Sequence, residues 1–263
     1  VGGNTLVPQL FRDHHDILQP RAAPEAFDEK IARARQQLQT NTATVALENI
    51  DVSGATLSFR TYADTVAGHK FPTGIPLRRA WLRVQVTDAD GATVFLSGDF
   101  DGTGRILVNG QVAPFEGQGG PIPPHHASIT DDDQVQIYEA VLADLAGNPT
   151  YRLLRGAGYV KDNRLLPEGW NPNGVNIPRV GPIGTDGDPD YASGGDTVQW
   201  MVDTTGFTAP FHIDARLYYQ SLAHRFGEEI FVANTPETEG LRAVLETADR
   251  RPDLVGYATL TVN

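Results

Sequence analysis

No chemistry in this chain can come from a thiol, because its 263 residues include seven histidines, a single methionine and no cysteine. The missing thiols exclude disulfides, thiolate nucleophiles, Cys-ligated zinc, iron–sulfur clusters and covalent c-type haem within the chain. They leave the compartment open, since a cysteine-free protein is stable in either redox environment. The acidic run Asp186-Gly187-Asp188-Pro189-Asp190, followed by Gly194-Gly195-Asp196, is the best cation candidate. Calcium is a hard ion that takes six to eight oxygens, so Asp186, Asp188, Asp190 and Asp196 are read as its ligands. The run is not an EF-hand, because the spacing to a closing Glu and the flanking helices are missing. Asp-Gly and Asp-Pro also form ordinary turns, which is the competing reading. Asp99–Gly104 and Asp131-Asp132-Asp133 repeat the idea more weakly.

The histidines offer a second chemistry. His69, in Gly68-His69-Lys70-Phe71-Pro72-Thr73-Gly74, could ligate a metal or a neighbouring haem iron through neutral imidazole. Alternatively, His69 with Arg78 and Arg79 pins a long crossover loop by hydrogen bonds. His14-His15 and His125-His126 are adjacent pairs, and adjacent side chains diverge on helix and strand alike, so neither pair chelates one ion alone. Both read as surface histidines, with His14 and His15 also placed to ligate or shield a haem supplied in trans. A mononuclear metal enzyme would need three of His69, His125 or His126, and His212 to converge to roughly 2.0–2.2 Å from one ion. Lys161-Asp162-Asn163-Arg164 reads as a buried polar knot in which Asp162 bridges Arg and backbone N–H groups. No GxSxG, HExxH or P-loop is present. Met201 reads as a core residue at strand spacing, and Trp170 as an exposed contact.

The elements that must hold these residues follow from periodicity. Pro24 opens a helix carrying Phe27, Ile31, Ala34 and Leu38, and an earlier helix runs through Leu6, Leu10, Phe11 and Ile17 with Pro8 limiting its start. From Thr42 the period becomes two. Strands are expected at 44–50, 56–62, 80–86, 93–96, 135–142, 197–202, 211–219 and 257–262, with Ser53-Gly54 and Asp88–Gly91 as turns. Helical segments are expected at 222–232 and 237–247. The stretch 159–196, rich in Gly, Pro, Asn and Asp, reads as one long functional loop. The expected fold is mainly β, an antiparallel β-sandwich, Ig-like or jelly-roll-like, with N-terminal helices and a small helical insert near the C-terminus. Residues 1–41 form a helical segment and 42–263 the sandwich.

Net charge of −12 argues against nucleic acid and anionic membranes as partners. No run approaches the roughly 18–20 apolar residues of a membrane span. The start Val1-Gly2-Gly3-Asn4 lacks signal-peptide character and reads as a processed form or a fragment. Self-association stays open.

Five phrases exceed what strand propensity explains: Gly68–Gly74 with Pro76-Leu77-Arg78-Arg79-Ala80-Trp81; Asp133-Gln134-Val135-Gln136-Ile137-Tyr138-Glu139; Tyr159-Val160-Lys161-Asp162-Asn163-Arg164-Leu165-Leu166-Pro167; and Ala215-Arg216-Leu217-Tyr218-Tyr219-Gln220-Ser221. In this order and spacing the chain, from Gly2 to about Phe226, resembles the haem-free C-terminal region of bacterial multihaem c-type cytochromes. That region follows a run of CxxCH motifs, which this sequence lacks. The resemblance implies a non-catalytic, periplasmic or extracellular module without covalent haem, working beside a multihaem cytochrome domain or subunit in assembly, docking or surface presentation. Possible haem contacts in trans fall on His14, His15 and His69. A His-cluster metal enzyme and a calcium-stabilised carbohydrate-binding module are the alternatives.

Overall fold

The structure, a computed structural model, describes residues 4–191 and 194–263; Val1, Gly2 and Gly3, at the start of the resemblance, lie outside the described residues. Three helices come first: α1 (Leu6–Asp13), the single turn α2 (His15–Leu18) and α3 (Pro24–Asn41). Pro24 occupies the first turn of α3, where its missing N–H is no loss. Ile31, Ala34 and Leu38 are the buried stripe of α3, as their helical spacing requires.

Strands β1 (Ala43–Ser53), β2 (Thr56–Thr65), β3 (Arg79–Thr87) and β4 (Thr93–Ser97) follow, then the two-residue pieces β5 (Leu107–Val108), β6 (Gln111–Val112) and β7 (Ser128–Ile129). Next come β8 (Ile137–Ala143), β9 (Pro149–Thr150), β10 (Gly158–Asp162), the turn of helix α4 (Ile177–Val180), β11 (Gly195–Asp203) and β12 (Phe211–Gln220). Helices α5 (His224–Phe231) and α6 (Pro236–Glu246) precede β13 (Asp253–Val262). One sheet runs β1-β2-β11-β7 and the other β10-β8-β3-β12-β13, with β4 on β3 and β9 on β8. Pairing is antiparallel except between β7 and β11.

The two sheets face each other across a shared core. Phe59 and Trp200 from the smaller sheet pack with Leu82, Val84, Ile213 and Leu217 from the larger. Phe95 of β4 meets Trp200 edge-on at 5.9 Å. Trp200 can be buried because its indole N–H donates to Thr61 Oγ1 at 2.9 Å. The larger sheet is covered on its outer face as well: Trp81, Ile137 and Tyr218 pack with Ile106 and Val135 of the long excursion after β4. This makes the sandwich mainly β and antiparallel, as the period-two segments demand.

The helical ends are not independent of the sandwich. Leu6 and Leu10 of α1 pack with Phe231 of α5 and Leu245 of α6. Asp253, at the start of β13, accepts from Thr5 Oγ1 at 2.5 Å and Arg35 Nε at 2.8 Å, tying α1 and α3 to the last strand.

Four local expectations need correction. Met201 is 41% exposed, because β11 alternates and turns Val198, Trp200 and Val202 inward. Trp170 packs against the main core instead of standing free. The stretch 159–196 is not one loop: β10 occupies its start, and Asp162 and Ile183 exchange backbone hydrogen bonds of 2.9 and 3.0 Å. His125, read as a surface residue, has a side chain only 3% exposed.

Candidate functional site

The phrases that stand out in the sequence meet in space. Backbone bonds of 2.9 and 2.8 Å join Phe71 to Leu165, so the 68–74 loop lies against the segment after β10. Lys70 Nζ then reaches Asp162 Oδ2 at 2.7 Å. Arg164 grips the same carboxylate from both sides, Nε to Oδ1 and Nη2 to Oδ2, each 2.7 Å. The Arg164 and Lys70 charges hold the Asp162 carboxyl below its ordinary range against the upward pull of burial. Burial pushes the Lys70 ammonium down despite Asp162. The polar knot expected at 161–164 is therefore present, with Lys70 as a member its sequence position did not reveal.

Next to it lies a buried cluster of His125, Asp188 and Asp196, whose ligand atoms all fall within 4.8 Å of one another. Gln136 and Asn163 define its chemistry. Gln136 Oε1 accepts from the His126 N–H at 2.8 Å, which turns Nε2 toward His125 Nδ1 (2.8 Å) and Asp196 Oδ2 (3.0 Å). Asn163 Oδ1 accepts from the Glu139 N–H at 3.0 Å, and its Nδ2 lies 3.1 Å from the same His125 Nδ1. Both amides are oriented by backbone partners, so Nδ1 of His125 is an acceptor and the ring proton sits on Nε2. That proton points at Asp188 Oδ2, 2.8 Å away. Burial, with Lys161 nearby, lowers the His125 pKa to about 4, so the ring is neutral.

Asp196 is fully buried. Its Oδ2 accepts from Tyr138 OH at 2.7 Å and from Gln136, while Oδ1 has no partner among the described residues and lies 3.8 Å from His125 Nε2. Burial, aided by the Asp188 and Asp190 charges, raises its pKa to about 7 despite those two donors. Asp190 donates its N–H to Asp188 Oδ1 at 3.2 Å, and partial burial and the Asp188 carboxyl raise its own carboxyl.

Of the four candidate calcium ligands, the structure thus brings Asp188 and Asp196 together, sets Asp190 beside Asp188 and leaves Asp186 exposed outside the cluster. The sequence carries no clear signal for His125: Pro121, Pro123 and Pro124 precede it in a stretch without strand period, and its partners Gln136 and Asn163 are distant in the chain.

The convergence of histidines that a mononuclear metal enzyme would need does not occur among the described residues. The sole group of three metal-ligating side chains among the described residues contains one histidine, His125. His212 is exposed on β12, 3.1 Å from Thr261 Oγ1. His14 Nε2 meets Thr247 Oγ1 at 2.9 Å, and His15 Nε2 meets the Ala22 carbonyl at 2.9 Å. His69 is exposed and lines a cavity of about 260 Å³ between the end of α3, the 68–74 loop and β12. The flat aromatic array that a carbohydrate platform needs is also missing among the described residues, where Phe207 and Tyr257 are the exposed aromatics.

No protein-family model matches the chain, and no curated protein sequence matches it. Among solved structures it is similar to a penta-heme cytochrome c552 from Thermochromatium tepidum, with a TM-score of 0.50 and 14% identity. The match covers 87% of this chain and 41% of that one, so the chain spans less than half the length of the cytochrome. At this identity the likeness shows the fold.

Proposed function

We propose that this chain is a non-catalytic β-sandwich module that works beside a multihaem c-type cytochrome, as a domain of the same polypeptide or as a separate subunit. The observation that carries the reading is the fold match over 87% of a chain that has no cysteine with which to hold covalent haem. Three of the five phrases support it by meeting in space: Lys70 and Arg164 share Asp162, and Gln136 and Asn163 share His125. So does the burial of the His125, Asp188 and Asp196 side chains, 3%, 2% and 0% exposed, where no substrate reaches them. In this reading the module serves docking, assembly or surface presentation outside the cytoplasm, and His14, His15 and His69 are the side chains available to a haem of the partner. No helix among the described residues is long and apolar enough to cross a membrane, and the acidic surface does not suit nucleic acid.

Purification of the native gene product, followed by absorption spectroscopy and haem-peptide mapping, tests the reading. Haem peptides in the same polypeptide or in a co-purifying chain are expected. A native product with neither would refute it.

A bound cation is a second reading, favoured by the Oδ1 of Asp196, unpartnered among the described residues, in a cluster with Asp188. Because Nε2 of His125 carries the ring proton, His125 acts there as a hydrogen-bond donor to Asp188 and not as a ligand. The remaining donors are carboxylate oxygens, which suit calcium better than zinc.

A further inference from the structure

The cavity beneath the 68–74 loop has a chemical character opposite to that of the rest of the molecule. The chain carries 33 acidic residues against 21 basic ones, yet no Asp or Glu lines this cavity, while Arg78 and His69 both do. Among the described residues Arg78 pairs with no carboxylate. Its Nη1 donates to the Thr73 carbonyl at 2.7 Å, which fixes the guanidinium in place, and its Nε is buried without a partner. An arginine held in position and left uncompensated in a walled space is a ready receptor for a planar anion.

The remaining walls refine the ligand. Phe71 and Leu38 supply buried apolar surface, which suits a hydrocarbon body better than a bare inorganic ion. Gln37 and Asn41 stand near the end of α3, and among the described residues Gln37 Oε1 is engaged only by Asn41 Nδ2 at 3.5 Å, with no described acceptor on the Gln37 amide N–H groups. Tyr219 forms the floor from β12. Its hydroxyl pKa is raised by burial, and the Arg78 charge opposes that rise, so the guanidinium lies within electrostatic reach of the floor.

We infer that this cavity binds a carboxylate on an apolar body, with Arg78 as its anchor and His69 and Gln37 as flanking donors. Two sources present that chemistry: a free small organic acid, and the propionate of a haem held by an adjoining cytochrome domain.

The inference is tested on the whole chain by ¹H–¹⁵N NMR titration with benzoate and succinate, set against benzamide and succinamide as uncharged counterparts. The acids are expected to give saturable shifts confined to residues 37–42 and 67–78, and the amides to bind at least about tenfold more weakly. Arg78→Lys, which keeps the charge but loses the fork, is expected to weaken benzoate by roughly tenfold. His69→Gln, at an exposed position, is expected to weaken it several-fold, and it decides the matter if Arg78→Lys does not fold. A parallel titration with mesohaem and its dimethyl ester separates the sources. Tighter binding of mesohaem than of benzoate, lost in the ester, assigns the site to a haem propionate; binding of the small acids alone assigns it to a free acid. Equal binding of acids and amides, or no saturable shift from any acid at about 10 mM, overturns the inference. Either result is independent of whether the native protein carries a haem partner.

Discussion

Nε2 of His125 stands 2.8 Å from Asp188 Oδ2, and the ring donates to that carboxylate as a neutral imidazole. Asp196 lies on the same side of the ring, 3.8 Å away, with its unpartnered oxygen toward it. One buried site therefore holds a base reluctant to gain a proton and an acid reluctant to lose one.

These two groups pull stability in opposite directions with pH. The pKa of Asp196 is raised from 3.8 to about 7, so its contribution is complete below pH 4 and is lost as pH rises through 7. The pKa of His125 is lowered from 6.5 to about 4, so its contribution is complete above pH 6.5 and is lost as pH falls through 4. Each is at most on the order of 3–5 kcal/mol. Relative to the parent chain, Asp196→Asn should gain stability as pH rises from 4 to 7, and His125→Gln should gain it as pH falls from 6.5 to 4. Urea melts across that range, with EDTA present throughout, read both trends. Difference curves that run parallel would contradict the assignment.

Calcium should act on the same site. If Asp188 and Asp196 hold the ion, saturating calcium at about a hundredfold over its Kd raises the thermal midpoint by on the order of 5–10 °C relative to EDTA. The increment should vanish in Asp196→Asn. Superimposable melts of the parent chain in calcium and in EDTA would rule out the cation reading.

Asp162 is the acceptor shared by Lys70 and Arg164. Asp162→Ala strands two part-buried cations and should cost about 3–5 kcal/mol in chemical denaturation. Lys70→Met, which removes one cation and leaves the Arg164 fork intact, should cost clearly less. Equal losses would show that the two cations do not share the carboxylate as the geometry requires.

Neighbours on β11 should respond very differently to truncation. Trp200→Ala removes a fully buried ring and is expected to cost about 3–5 kcal/mol. Met201→Ala, on the outward face, should stay within about 0.5 kcal/mol. Comparable destabilisation by the two would mean that the smaller sheet is covered on both faces.

Much of the fold could be read from residue patterns, because period and punctuation are local properties. Thr56–Tyr62 alternates and is β2, Pro24 opens α3, and Asp88–Gly91 turns β3 into β4. The candidate site was only half legible. Asp188 and Asp196 stood out as carboxylates in one acidic run, but their partner His125 lies 63 residues before Asp188. It reaches them only because β8 and β11 belong to different sheets and the segment before β7 bridges the gap. Long-range closure of this kind leaves no periodic trace. The same holds for Lys70 and Asp162, 92 residues apart, whose union was invisible although each lay in a phrase that stood out. Met201 was misread for the converse reason: strand spacing says that a residue alternates, not which side is dry.

The outward turn of Met201 makes it a built-in reporter. As the sole methionine of the sequence, its ¹³C-labelled methyl group gives one resonance from one known place on the smaller sheet. Any protein surface that settles over that sheet will broaden or shift this signal. Mild peroxide treatment gives the complementary footprint, because a covered thioether oxidises more slowly than an open one. A docking face can thus be located without introducing a single substitution.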